Sequence, residues 1–164
     1  MRKNNGTVSS QILISLRRAT IEDAKKVYAW RNDPDIRAVS GTTKALTMKT
    51  HMKWFGERLQ LTFPEAIWIV INDEAEPIGY GRIALRGVRE AKISIVIDKS
   101  FRGRGLGRQV IKLLKQKIQA MGRTALAEVH VKNLTSLRAF MANGFSGSYA
   151  FTHGSIVMLR AEPN

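Results

Sequence analysis

The chain has 164 residues, of which 44% are hydrophobic and 24% charged, as expected for one globular domain with a full core. It has no cysteine, which excludes disulfides, thiol catalysis and cysteine-bound metal; His51, His130 and His153 lack metal-ligand spacing, so no metal is expected. The 27 Lys and Arg against 13 Asp and Glu leave a net charge of +14, which points to a phosphorylated cofactor, to nucleic acid, or to a solvated basic face.

Residues 1–11 are polar, without the apolar stretch of a secretory signal, and read as a disordered tail before a single domain over 12–164. No apolar run approaches the roughly 20 residues that cross a bilayer, so a cytoplasmic protein without membrane contact is expected. "ILISLRRA" at 12–19 reads as a first strand, and "TIED" has the Thr-to-acid spacing of a helix start. That helix is expected to end near "RNDPD", where Pro34 disfavours continuation. A second helix is expected over 47–60, with Met48, Met52, Phe55 and Leu59 on one face. Three strands follow at 66–72, 78–86 and 91–98; the glycines of "IGYGRIALR" weaken the middle one or mark bulges. A helix over 106–121, a strand over 125–131 and a short helix over 134–142 come next. "FSGSYAF" and "SIVMLRA" close the chain as a hairpin around His153-Gly154, and these last strands offer an edge for a homodimer. The order is that of a mixed α+β fold on one central sheet.

The stretch "DKSFRGRGLGRQ" carries the strongest chemistry. A strand ending at Asp98, then Gly103, Gly105 and Gly107 at alternate positions, then a helix, form an anion site. The first amides of a helix have no internal acceptor, and its dipole adds positive charge there. Arg102, Arg104 and Arg108 add charge-assisted donors. From Lys99 to Ala127 there are eight basic residues and no acid. A P-loop is excluded because no Lys-Ser or Lys-Thr follows these glycines, and G-x-G-x-x-G fails at Arg108.

Arg102-Gly103-Arg104-Gly105-Leu106-Gly107 fits the pattern of Arg or Gln, two residues, Gly, one residue, Gly or Ala. It resembles the pyrophosphate-binding motif of the GNAT superfamily of N-acetyltransferases, and the element order over 12–160 is similar to that family's fold, a mostly antiparallel mixed sheet of about seven strands with about four helices. "AEVHVKNLTSLRAFMANGF" resembles the family's segment beside the pantetheine arm, which puts Asn133 and Ser136 near the cofactor; Asn133 can equally be a plain helix cap. The resemblance implies acetyl-CoA as co-substrate, transfer to a primary amine, and two strands that splay so that main-chain groups of Ile95 and Ile97 pair with the cofactor arm. It implies the diphosphate on Arg102, Gly103, Arg104, Gly105, Leu106 and Gly107, with Arg108 among the cations nearby.

Many family members have a strand-four Glu as base and a Tyr on the last helix as acid; here those positions hold Lys92 and Phe140. The catalytic candidates that remain are Glu128 and His130, on one face of their strand, and His51. Glu128 also suits a salt bridge to a neighbouring cation, and His51 a structural site on its helix flank. Water can take the proton if proximity does most of the work.

"YAWRNDPDIR" presents an aromatic plane and two guanidiniums, which suits a phosphorylated ring substrate or an acidic peptide, or else Trp30 is packed down. Together with His51 and "WF" it resembles two branches of the superfamily: nucleotide-amino-sugar N-acetyltransferases acting on a UDP-linked 4-amino sugar, and ribosomal-protein N-terminal acetyltransferases. The sugar branch implies Arg31 and Arg37 on phosphate, His51 and Trp54 on the pocket floor, and Trp30 at the substrate edge. A non-catalytic RNA- or ribosome-associated module is the alternative from the charge alone, but nucleic acid is disfavoured because most aromatics lie in apolar runs.

Overall fold

The computed structural model describes residues 12–40, 44–148 and 155–163. The expected tail 1–11 and the turn at His153-Gly154 lie outside the described residues. The elements are β1 (Ile14–Arg18), α1 (Ala24–Asn32), α2 (Pro34–Val39), α3 (Met48–Leu59), β2 (Ala66–Asn72), β3 (Pro77–Arg86), β4 (Glu90–Ile97), α4 (Leu106–Gln119), β5 (Thr124–His130), α5 (Leu134–Met141), β6 (Ser146–Ser148) and β7 (Ile156–Ala161). The seven strands form one sheet in the order β1-β2-β3-β4-β5-β7-β6. Every pairing is antiparallel except β4 with β5.

Pro34 departs from the expectation. It does not merely end α1; it opens α2 at the first helical position, and the Asp33 side chain caps that helix by accepting from the Asp35 amide at 2.8 Å. Proline is favoured there because its missing N–H would have had no acceptor.

Helices cover both faces of the sheet, so the apolar strands divide their side chains between two cores. Trp68, Val70, Ile93 and Ile97 pack with Val110, Ile111, Leu114 and Ile118 of α4 on one side. Ile67, Ile69, Tyr80 and Val96 pack with Val27, Trp30 and Phe55 on the other. The unbroken run "AIWIVIN" is thus a strand buried on both faces. Two polar contacts set the first helix. Arg17 grips the Asp23 carboxylate at 2.7 and 2.8 Å, and Asp23 accepts from the Thr20 amide at 2.8 Å. The Trp30 indole N–H donates to Asp98 at 2.7 Å, tying α1 to the end of β4.

The β3 glycines serve close packing. The register with β2 shifts where Val70↔Gly79 is followed by Ile71↔Pro77, so the extra residue is Ile78 of β3 and the bulge lies beside Gly79, as expected from the glycines of this strand. A Cβ on Gly81 would stand 2.6 Å from Leu114 Cδ1, a fully buried side chain of α4. Gly81→Val is therefore expected to overpack the helix-sheet interface and lower stability by about 1–3 kcal/mol, read as a reduced denaturant midpoint with unchanged slope.

Candidate functional site

The site begins where β4 and β5 part. The two strands pair over Glu90↔Thr124, Ala91↔Ala125 and Lys92↔Leu126, and no farther. Along β3, by contrast, β4 stays paired to Ile97. The Asp98 amide donates to the Ile78 carbonyl at 2.9 Å, so even-numbered main-chain groups of β4 turn to β3. Those of Ile93, Ile95 and Ile97 face the gap. Ile97 is only half open, because its carbonyl accepts from Arg102 Nε at 2.9 Å.

The glycine turn lies at the end of this edge. Gly103 and Gly105 have φ of 78° and 75°, and a Cβ on either would meet nothing within 4 Å. Positive φ is what glycine permits without steric cost. Gly105 caps α4; after Arg102, whose amide donates to the Lys99 carbonyl at 3.4 Å, the next amide to bond backward is that of Arg108, to the Gly105 carbonyl at 3.1 Å. The amides of Gly103, Arg104, Gly105, Leu106 and Gly107 have no protein acceptor among the described residues. They lie in succession at a helix N-terminus, the kind of donor set that an anion such as a diphosphate fits. Gly107 sits over Ile95, with its would-be Cβ 3.5 Å from Ile95 Cδ1. Arg104 lies over the Phe101 ring at 5.4 Å, and Arg108 is exposed. Arg102 is already committed: besides Ile97 it bonds Asp33 at 2.6 Å and Asp35 at 3.3 Å. The motif's first side chain is directed toward α2 rather than toward the turn.

On the opposite lip, Asn133 caps α5 by accepting from the Ser136 amide at 3.1 Å. The capping role and a place on the cleft coexist, since Asn133 and Ser136 both line it. His130 Nδ1 accepts from the Lys132 amide at 3.2 Å, so the neutral ring carries its proton on Nε2. Phe140 is buried against Phe145 with ring centroids 5.0 Å apart, and supplies no hydroxyl.

Between the lips is a cleft of about 410 Å³. Arg31, Arg37, Lys44, Arg82 and Lys92 line it, and Glu128 is its only acid among the described residues. Glu128 bonds Lys92 at 2.7 Å and lies 3.6 Å from Arg86, so the salt-bridge alternative is the geometry observed. The Arg31 guanidinium lies 3.8 Å over Trp54, with Arg82 at 5.7 Å from the same ring. Among the described residues neither arginine has an ion-pair partner, and burial pulls both below the usual arginine range; Arg58 adds to the effect on Arg82. Burial pushes the Tyr80 hydroxyl up, partly offset by Arg31 and Arg82. Arg82 escaped the sequence reading, although a lone cation within an apolar glycine-rich strand was the available signal.

Two expected substrate residues are elsewhere. Trp30 is buried, stacked on Tyr80 at 6.2 Å and bonded to Asp98, and does not line the cleft. His51 is fully buried on α3. Its Nε2 is 2.8 Å from the Ala24 carbonyl and its Nδ1 3.3 Å from Arg31 Nη1. A carbonyl only accepts and a guanidinium only donates, so His51 is the neutral Nε2–H tautomer with both nitrogens taken. It holds Arg31 from behind and has no free lone pair for an amine. Burial, followed by the nearby Arg31 charge, lowers its pKa against the Ala24 bond.

Among the described residues no His, Asp and Glu cluster could hold a metal ion, and no helix is long and apolar enough to cross a membrane. Among curated proteins none matches the chain by sequence. Solved structures do match its fold. A domain from Methanocaldococcus jannaschii superposes with a TM-score of 0.82 at 20% identity, covering 92% of this chain and 99% of that one. Spermidine N-acetyltransferase from Vibrio cholerae, in complex with CoA and spermine, gives 0.80 at 15%, covering 92% and 95%. The GNAT superfamily phosphinothricin acetyltransferase from Sinorhizobium meliloti, in complex with AcCoA, gives 0.76 at 17%, covering 92% and 89%. The family profile described as Acetyltransferase (GNAT) domain matches residues 14–146, and the chain therefore belongs to the GNAT family of acetyl-CoA-dependent N-acetyltransferases.

Proposed function

We propose that this acetyltransferase acts on the primary amine of a nucleotide-linked amino sugar, held through its phosphates by Arg31, Arg37 and Arg82. The observation that carries this reading is the charge of the cleft: several cations, two of them half-buried and unpaired with any acid among the described residues, against one carboxylate already bonded to Lys92. Uncompensated charge in a partly buried site is costly, and an anionic acceptor group offsets that cost. A polycation such as the spermine bound by the Vibrio cholerae enzyme would instead meet like charge. Trp54, already stacked under Arg31, forms the floor.

On the cofactor side, the amides of 103–107 hold the diphosphate, and Ile93 and Ile95 offer main-chain groups to the pantetheine, with the Ile97 amide N–H beside them. Acetyl-CoA supplies the activated thioester. The acceptor nitrogen bonds to the carbonyl carbon as the C–S bond breaks; the amine proton leaves to water and the thiolate takes one up. None of the candidate bases is placed as a free one, since in the cleft Glu128 is paired and His130 carries its Nδ1 lone pair in a hydrogen bond, while His51 is buried behind it with both nitrogens taken. Holding the two reactants together is then the main catalytic contribution.

A panel of UDP-amino sugars, polyamines and basic N-terminal peptides, assayed for CoA release, is expected to give turnover with the sugars alone; turnover confined to peptides would favour the protein-acetylating branch. Gly105→Val places a β-branched residue at positive φ in the turn and is expected to weaken CoA binding at least about tenfold in calorimetry. For His51 the depressed folded pKa sets the sign. Below about 6.5 the unfolded chain takes the proton first, so stability falls as pH drops through that value and levels off below the folded pKa. His51→Gln is expected to flatten that limb of the melting-temperature profile.

A further inference from the structure

The side chain at the head of the phosphate motif has work that the motif does not explain. All three guanidinium nitrogens of Arg102 are taken by protein acceptors: Nε by the Ile97 carbonyl at 2.9 Å, Nη2 by Asp33 at 2.6 Å and Nη1 by Asp35 at 3.3 Å. Lys99, also from the segment between β4 and α4, reaches Asp35 at 3.1 Å. The arrangement is partly shielded, with 28% of the Arg102 side chain and 15% of the Asp33 side chain exposed. Asp33 has a second duty, since its other oxygen caps α2.

The helix on the far side of this contact is small: besides the fork, Ile36 packs at the edge of the second core and Arg37 Nε donates to the Asn32 carbonyl at 3.3 Å. α2 has six residues, and none of them is buried. A helix so short does not persist by propensity, because the cost of nucleation exceeds what its few hydrogen bonds return. Yet it supplies Ile36, Arg37, Val39 and Ser40 to the wall of the acceptor cleft. Its position therefore depends on the Ile36 packing, on the cap and on the ionic fork that reaches it from the glycine turn.

We propose that Arg102 is a positioning residue that latches α2 to the glycine turn, so that seating a diphosphate on residues 103–107 also seats the acceptor wall. The Arg102 main chain adjoins Gly103, which stands at φ 78° and, lacking a Cβ, puts little steric limit on the turn. Fixing the turn narrows the positions from which the fork can reach Asp33 and Asp35, which favours the docked state of α2 over the released one. The coupling is reciprocal: an acceptor that orders α2 must tighten CoA binding by the same factor. This inference rests on the assignment of the turn to the diphosphate made above.

Hydrogen exchange with and without CoA separates the two claims. In the wild-type protein CoA is expected to protect the amides of 103–107 and to slow exchange over 35–39 by about tenfold, within the usual range of allosteric coupling. Arg102→Gln still satisfies the motif but lacks the fork; Asp33→Asn keeps a capping side chain but loses the charge. Both are expected to retain CoA protection of the turn while the CoA-dependent change in α2 falls below about twofold. If CoA protects the turn but leaves α2 unchanged in the wild type, or if α2 responds equally in both variants, the latch is overturned. If CoA binds without protecting the turn, the diphosphate assignment fails and the latch with it.

Discussion

The separation of β4 from β5 after Lys92 and Leu126 is the constraint on which the site depends. Up to that pair the sheet satisfies its own main chain. Beyond it, Ile93, Ile95 and Ile97 turn hydrogen-bonding groups into an open gap, while both faces of β4 remain packed under helices. A buried strand with one free edge requires an external partner for its amides and carbonyls. The Lys92–Glu128 bond spans the mouth of the gap, so Glu128, a candidate for proton transfer, is already occupied by the lysine that stands at the family's usual base position.

The second organising feature is a run of four residues at the end of α1. Trp30 anchors inward to Asp98, and Arg31 lies between His51 and Trp54 at the cleft. Asn32 pins Leu46 through its carbonyl oxygen at 2.8 Å and its amide at 3.0 Å. Asp33 caps α2 and receives Arg102. Consecutive helical side chains point about 100° apart, so a single helix end touches the sheet, the pocket, a loop and the glycine turn at once. The cleft is in this sense assembled around one turn of helix.

Charge reads differently once it is placed. The net +14 of the chain is not spread evenly over function. Arg17 and Arg102 are consumed by structural carboxylates, and Arg123 by the carbonyls of Gly87 and Val88. Arg31 and Arg82 are the ones held beside an aromatic floor without an acid partner among the described residues. Composition predicts an anionic partner in general; the pairing pattern says which cations stand ready to meet it.

Much of this protein was legible from residues alone, because local rules determine it. The seven strands, the long helix α4 and the glycine turn follow from periodicity, capping and the conformational freedom of glycine, all of which act within a few positions; the expected face of α3 holds only in part, since Phe55 packs inward while Met48 and Met52 are exposed and His51 takes the inner position. The Asp33-Pro34 start of α2 was legible too, and was missed by treating proline only as a stop. What the sequence could not determine were the partners across the fold. Arg102 meets Asp33 from 69 residues away and Trp30 meets Asp98 from 68, while His51 closes on Ala24 from 27. A side chain's chemistry is written in its type, but its availability depends on which groups are brought beside it, and only the packed sheet and helices decide that.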